Sequence, residues 1–239
     1  MSSSSETESV GTDPSNEPYP RSQSTDPKIL IELGYDQIAA AYLSCSAPRP
    51  TITRLSYLNK LLTYLPSDAN VLELGCGAGV PCTQSLISQG IKVTGVDISA
   101  AQIALAQEYV PQATLIHADM MALSFPPSTF DAVVAFYSIF HLPREEQRTM
   151  IGRIKGWLKE GGWLLVNFHT EEGDQLRENW FSPGVTMFSS GLGVRGNRDM
   201  FENDVEGLTV LEDEVAVEKV GRAEEKFHWV FAVKSRGYG

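Results

Sequence analysis

The sequence predicts an α/β fold: a doubly wound, mostly parallel seven-stranded sheet with one antiparallel strand at its C-terminal end. Three observations predict it. Short apolar runs alternate with helical stretches of about ten to fifteen residues, the pattern of strands joined by crossover helices. The first apolar run leads straight into a glycine cluster, Gly75, Gly77 and Gly79. The last two apolar runs stand close together around a short polar segment near Gly221, which reads as a hairpin and so reverses one strand.

Taken in order, Pro27 to Leu43 and Ile52 to Leu65 carry apolar residues at helical spacings of three and four. Val71 to Leu74 is a short strand. Pro81 suits the first turn of a helix that runs to about Ser88 and stops at Gly90. Ile91 to Val96 is a second strand, closed by Asp97, and Ser99 with Gln102 forms a capping box for a helix over Ala100 to Tyr109. Thr114 to His117, Asp131 to Phe136 and Gly162 to Phe168 are further strands, with a helix over Arg144 to Leu158. Leu208 to Val217 and Lys226 to Val233 complete the sheet. Thr170 to Asp199 lacks clear periodicity and holds five glycines, so it is expected to be a lid or binding loop.

The first 26 residues differ from the rest: eight serines, three prolines, five acids and one base, with few apolar groups to offset ordering entropy. They are expected to be a disordered tail before one domain over 27–239. The tail resembles neither a transit peptide nor a secretory signal. The formal charge of the chain is -11, and the body keeps -7, with 25 acids against 18 bases. Such a chain has no net field drawing it to phosphate backbones, so nucleic acid is not an expected partner. No apolar run approaches the roughly 20 residues needed to span a bilayer. Cys45, Cys76 and Cys82 make neither a CxxC pair nor a disulfide framework, which points to a reducing, cytoplasmic setting. No metal-ligand spacing occurs, so no metal is expected.

In an open sheet of this kind ligands sit beyond the carboxyl ends of the strands, which directs attention to Gly75–Gly79, Asp97, Asp119, Phe136–His141 and His169. Glycines there let a ligand approach the backbone N–H groups at a helix start. Asp97 ends the next strand, 22 residues after Gly75, where a ribose diol needs a carboxylate acceptor. Asp119, after the third strand, is placed to accept from the exocyclic amine of adenine. A dinucleotide fingerprint would want its third glycine at position 80, which is Val80. The observed spacing is G-x-G-x-G, preceded by the polar Glu73 inside an apolar strand.

These residues resemble the class I S-adenosylmethionine-dependent methyltransferases, in particular a small-molecule, ubiquinone-biosynthesis-like group. Leu123 to Val134, Leu158 to Val166 and the segment Tyr35-Asp36-Gln37-Ile38-Ala39 through Tyr42 extend the likeness over about residues 28–170. The resemblance implies a Rossmann-like fold with S-adenosyl-L-methionine as cofactor. By that resemblance Glu73, Gly75, Cys76 and Gly77 border its methionine part, and Asp97 binds the ribose. Ile98 and Met120 sandwich the adenine, Asp119 meets its amine, and Tyr35, Tyr42 and Phe136 help to cover the ligand.

Methyl transfer from a sulfonium is an in-line displacement in which a protein mainly aligns the reactants and excludes water. A base is needed only where the acceptor must lose a proton. His141, just past the fourth strand, and His169, at the end of the fifth, are the candidate bases, each with an unperturbed pKa near neutrality. Tyr137, His141, Trp180, Met187 and Phe188 are candidate walls of an apolar or aromatic acceptor pocket. The expected activity is transfer of a methyl group to a small molecule, by a monomer or homodimer. Two other classes compete: an S-adenosylmethionine-binding protein that does not methylate, and a nicotinamide oxidoreductase, which Val80 and Glu73 disfavour.

Overall fold

A computed structural model of the protein describes residues 26–46, 52–220 and 223–236. The expected tail, apart from Asp26, and the turn expected at Gly221 fall outside them. In chain order the elements are α1 (Pro27–Ser46), α2 (Ile52–Leu62), β1 (Asn70–Leu74), α3 (Cys82–Ser88), β2 (Lys92–Asp97), α4 (Ala100–Tyr109) and β3 (Thr114–His117). There follow β4 (Phe130–Ala135), α5 (Arg144–Trp157), β5 (Leu158–His169), β6 (Glu172–Glu178), β7 (Thr186–Leu192), α6 (Gly193–Asp199), β8 (Leu208–Val220) and β9 (Ala223–Lys234).

Seven strands form one sheet in the order β3-β2-β1-β4-β5-β9-β8. All pairings from β3 to β5 are parallel, and β9 is antiparallel to both β5 and β8. The single reversed strand is therefore β9, and it lies inside the sheet with β8 at the edge. Because the chain moves from β1 out to β3 and then returns to the other side of β1 with β4, the strand order switches between β1 and β4. That switch opens a crevice at their carboxyl ends.

Strand periodicity of two explains the two cores. Val133 and Ala135 of β4 join Leu72, Leu74, Met150, Ile151 and Ile154 on the α5 face. Ala132 and Val134 join Val71, Leu58, Leu61 and Leu86 on the α2–α3 face. A sheet covered on both faces needs continuous apolar strands, which is why Val71–Leu74 is buried without interruption. Glu73, the polar exception, is buried too.

The stretch 170–199, expected as a loop, is instead a two-stranded antiparallel hairpin, β6–β7, running into α6. Its sequence hides this because β6 is almost wholly exposed, so Glu172–Glu178 shows no alternation. The tip is closed by Asn179, whose Oδ1 accepts from the Gly184 N–H at 2.9 Å. Met187 and Phe188 of β7 are buried against Leu30, Ile31 and Ile38, fastening the hairpin to α1.

Candidate functional site

The glycine turn after β1 begins the site. Gly75 has φ +74°, and a Cβ there would fall 2.4 Å from Cβ of Ser138, so side chains are excluded by both conformation and space. The Gly75 and Cys76 N–H groups both donate to the Val96 carbonyl, at 2.8 and 2.9 Å, which ties the turn to the end of β2. Asp97 follows at that end. Its Oδ2 accepts from the Gly77 N–H at 2.8 Å and its Oδ1 from the Ser99 N–H at 2.9 Å. Each carboxylate oxygen so keeps a lone pair for a ligand. Burial pushes this carboxyl up, against the two backbone bonds that favour its charge.

Ser99 caps α4 as expected, its Oγ accepting from the Gln102 N–H at 3.1 Å. The other half of the expected capping box is not formed. The Ser99 N–H is taken by Asp97, and the Gln102 amide, in a residue 1% exposed, has no partner at either atom and lines the cavity. Asp36 of α1 completes the cap instead, accepting from the Ser99 hydroxyl at 2.6 Å and the Ala101 N–H at 3.0 Å.

One cavity runs along the crevice. Of the residues singled out from sequence, Tyr35, Tyr42, Glu73, Gly75, Cys76, Gly77, Asp97, Ile98, Asp119, Met120, Phe136, Tyr137 and His141 border it. Asp119 is engaged on both oxygens, accepting from the Met121 N–H at 2.9 Å and pairing with Lys28 of α1 at 2.8 Å. Lys28 also reaches Glu146 at 3.0 Å. Burial pushes the Glu73 carboxyl up to about 7, although Thr83 donates to it at 2.5 Å and the Arg54 charge pulls the other way. Burial also raises the Cys76 thiol well above its usual range, so it stays protonated.

The cavity roof is α1. The Tyr35 hydroxyl lies 3.0 Å from Nε2 of His141, whose Nδ1 is 2.6 Å from the Phe188 carbonyl. A carbonyl only accepts, so Nδ1 carries the proton, Nε2 presents its lone pair, and Tyr35 donates to it. Burial lowers His141 to about 4 and raises the Tyr35 phenol well above its usual value, which keeps both groups neutral near pH 7. Tyr137 sits in the left-handed region, φ 53°, held by its N–H donating to Oδ1 of the buried Asn167 at 2.7 Å.

The remaining candidates stand off the cavity. His169 packs on Phe140 with ring centroids 4.3 Å apart, its Nε2 buried without a partner, and it does not border the cavity. Trp180, Met187 and Phe188 belong to the cluster behind α1, where Trp180 meets Tyr35 edge-on at 5.6 Å. Sequence reasoning missed Arg54, Gln102 and Lys28, all on the cavity wall. Arg54 had a signal: it interrupts the helical stripe formed with Tyr57, Leu58 and Leu61. Among the described residues no His, Cys, Asp and Glu cluster could hold a metal ion, and no helix is long and apolar enough to cross a membrane.

Comparison with known proteins agrees with this arrangement. Residues 71–162 match a methyltransferase domain family. The chain is 32% identical over 126 residues to 27-O-demethylrifamycin SV methyltransferase of Amycolatopsis mediterranei, covering 48% of this chain and 46% of that protein. It is 25% identical over 206 residues to carboxy-S-adenosyl-L-methionine synthase of Dichelobacter nodosus, covering 82% and 86%. It thus spans about half or less of the methyltransferases among the first of these relatives, though most of the synthase. Among solved structures, magnesium protoporphyrin IX methyltransferase of Synechocystis shares the fold, with a TM-score of 0.64 at 18% identity over 89% of this chain and 99% of that one. With the strand order, the glycine turn after β1 and the acid closing β2 all in place, the chain carries a methyltransferase-family match over residues 71–162 on a fold shared with S-adenosylmethionine-dependent methyltransferases.

Proposed function

We propose that this chain, acting through the unit 27–239, transfers a methyl group from S-adenosylmethionine to a small apolar or aromatic acceptor that gives up a proton. The observation that carries this reading is that one cavity is bordered both by the Gly75–Asp97 cradle and by the Tyr35–His141 pair. The unpartnered Gln102 amide and the free lone pairs of Asp97 fit the hydroxyls and polar edges of an adenosyl group. Asp97 takes the ribose, Ile98 and Met120 flank the base, and Asp119 accepts from its amine while it stays paired with Lys28.

When bound, the cofactor supplies a methyl group activated by a sulfonium. The chain's own task is to align, to exclude water and to move one proton. Tyr35 accepts the acceptor's proton at its oxygen as its own passes to Nε2 of His141, and the Phe188 carbonyl steadies the resulting imidazolium through Nδ1. The positive charge that appears on the His141 ring would balance the one that a bound sulfonium gives up. Trp180, Met187 and Phe188 act through Tyr35 and Tyr42 by fixing α1 over the acceptor.

A second reading has one observation in its favour: the relative matched over most of its length is a synthase rather than a methyltransferase by name. In that reading the same cavity binds the cofactor and does other chemistry. Incubating the purified chain with S-adenosylmethionine and a panel of phenolic and nitrogen-heterocyclic acceptors separates the two. Mass spectrometry should find S-adenosylhomocysteine together with an acceptor heavier by one methylene. Cofactor binding without either product across the panel would favour the second reading.

A further inference from the structure

Strand β7 is paired with β6 on one side only, so its other edge carries backbone carbonyls that need donors from elsewhere. Two side chains reach that edge. His141 Nδ1 stands 2.6 Å from the Phe188 carbonyl, and Nε2 of Gln147, at the start of α5, donates to the Ser190 carbonyl at 3.2 Å. Phe188 and Ser190 are two residues apart, so these are successive carbonyls along one edge of the strand.

Gln147 does more than fill the edge. Its Nε2 also donates to the Leu142 carbonyl at 3.0 Å and to the Ser190 hydroxyl at 2.8 Å. That hydroxyl in turn donates to the Leu142 carbonyl at 2.6 Å. Leu142 directly follows His141, so Gln147, Ser190 and Leu142 form a clamp between β7 and the turn, beside the His141–Phe188 bond. Gln147 and Ser190 are both buried. The amide end among these acceptors must be the nitrogen, because an oxygen there would face two carbonyls. Gln147 Oε1 is buried without a partner, so the amide is held in the interior by its donor end alone. A Leu or Met of similar size would avoid that orphan oxygen but would withdraw a donor from both carbonyls.

We propose that Gln147 and Ser190 are positioning residues for the proton transfer, fixing the β7 edge so that the Phe188 carbonyl keeps the His141 proton on Nδ1. This rests on the reading of Tyr35 and His141 as the proton-accepting pair. With the clamp in place, Nε2 is bare and can take the Tyr35 proton. With the carbonyl displaced, the neutral ring can carry its one proton on Nε2 instead and donate to the Tyr35 oxygen, which blocks the transfer.

The test reads tautomer and turnover separately. Nitrogen-15 NMR of the full chain, with the His141 signals identified by their loss in His141→Gln, should show a neutral ring protonated on Nδ1. In Gln147→Leu and in Ser190→Ala the form protonated on Nε2 should appear beside it. In both variants kcat for a phenolic acceptor should fall about tenfold, with acceptor KM and S-adenosylhomocysteine affinity within about twofold, as for a base displaced rather than removed. A ring that keeps its proton wholly on Nδ1 in Gln147→Leu overturns the proposal, as does an equal loss of kcat and cofactor affinity. Should Gln147→Leu fail to fold, Ser190→Ala decides by the same spectrum. An altered tautomer with unchanged turnover would uphold the clamp and remove the proton path that it was taken to serve.

Discussion

The Tyr35 hydroxyl donates to Nε2 of His141 across 3.0 Å, joining the roof helix α1 to the turn that follows β4. The two residues are 106 positions apart, so the contact exists only when α1 is seated over the sheet. In the proposed reaction the pair serves as the proton acceptor, and the same contact ties the roof helix to the cavity wall. Tyr35→Phe and His141→Gln should therefore each lower kcat for a hydroxyl acceptor by about 100-fold or more, the usual weight of a positioned base. S-adenosylhomocysteine affinity should change little. Steady-state kinetics beside calorimetry checks this, and unchanged turnover in both variants would remove the pair from the reaction.

How His141 titrates gives a second expectation. Burial holds its folded value near 4, below the ordinary 6.5, so the folded state binds fewer protons than the unfolded chain between those values. Its contribution is intact above about pH 6.5 and is lost as the pH falls toward 4. Between pH 7 and 4.5 the natural chain should lose about 2 kcal/mol more stability than His141→Gln, read from urea midpoints. In the same range His141 stays unprotonated in the folded protein, so kcat should show no acid limb near 6.5.

The fold was legible because crossover helices and buried strands write separate signatures. The apolar run Val71–Leu74, the glycines and Asp97 each sit where one physical constraint dominates: burial on two faces, positive φ, or a strand end. The hairpin β6–β7 was not legible, since Glu172–Glu178 faces water on both sides and alternation never arises. Within the site, residues next to the glycine turn could be read from local spacing. Lys28 could not, because α1 reaches the cavity only through tertiary packing, and Arg54 showed only as a break in the apolar stripe of α2, with nothing in that stripe to say which site it faces. Gln102 misled for a different reason: its spacing from Ser99 fits a cap, but Asp36 from a distant helix does that work and leaves the amide for the cavity.

Glu73 yields a pH effect of the opposite sign to His141. Its folded carboxyl lies near 7, above the ordinary 4.5, so the ligand-free protein binds an extra proton in that window and loses stability as the pH rises through it. An ammonium beside Glu73 favours the ionised form. Affinity for S-adenosylhomocysteine should therefore rise from pH 6 to pH 8, with up to one proton released on binding near pH 6. Titrations in buffers of different ionisation enthalpy measure that release, which Glu73→Gln should abolish.

Asp97 holds both the Gly77 and Ser99 N–H groups while presenting its free lone pairs to the cavity. Asp97→Asn keeps the shape and one of the acceptor oxygens but loses the charge, and Asp97→Ala loses everything. Cofactor affinity should fall by about tenfold and by at least 100-fold respectively, as expected for hydrogen bonds to a charged acceptor. The fold should persist by circular dichroism in both. Equal, small effects on affinity would take the ribose contact away from this residue.

Asp36 couples the roof to the cofactor floor. By accepting from the Ser99 hydroxyl and the Ala101 N–H it satisfies the start of α4, the helix that carries Gln102 into the cavity. A carboxylate at a helix N-terminus also meets the positive end of the helix dipole. Asp36→Ala should cost about 1–2 kcal/mol in urea unfolding, the range for loss of an N-terminal cap. The same change frees α1 from α4, leaving Lys28 with Asp119 and Tyr35 with His141 as its polar ties to the cavity wall. The S-adenosylhomocysteine off-rate should then rise by more than the on-rate, because the variant still forms the cavity but holds its roof less firmly. Stopped-flow displacement measures both, and an unaltered off-rate in a destabilised variant would show that α1 does not gate the ligand.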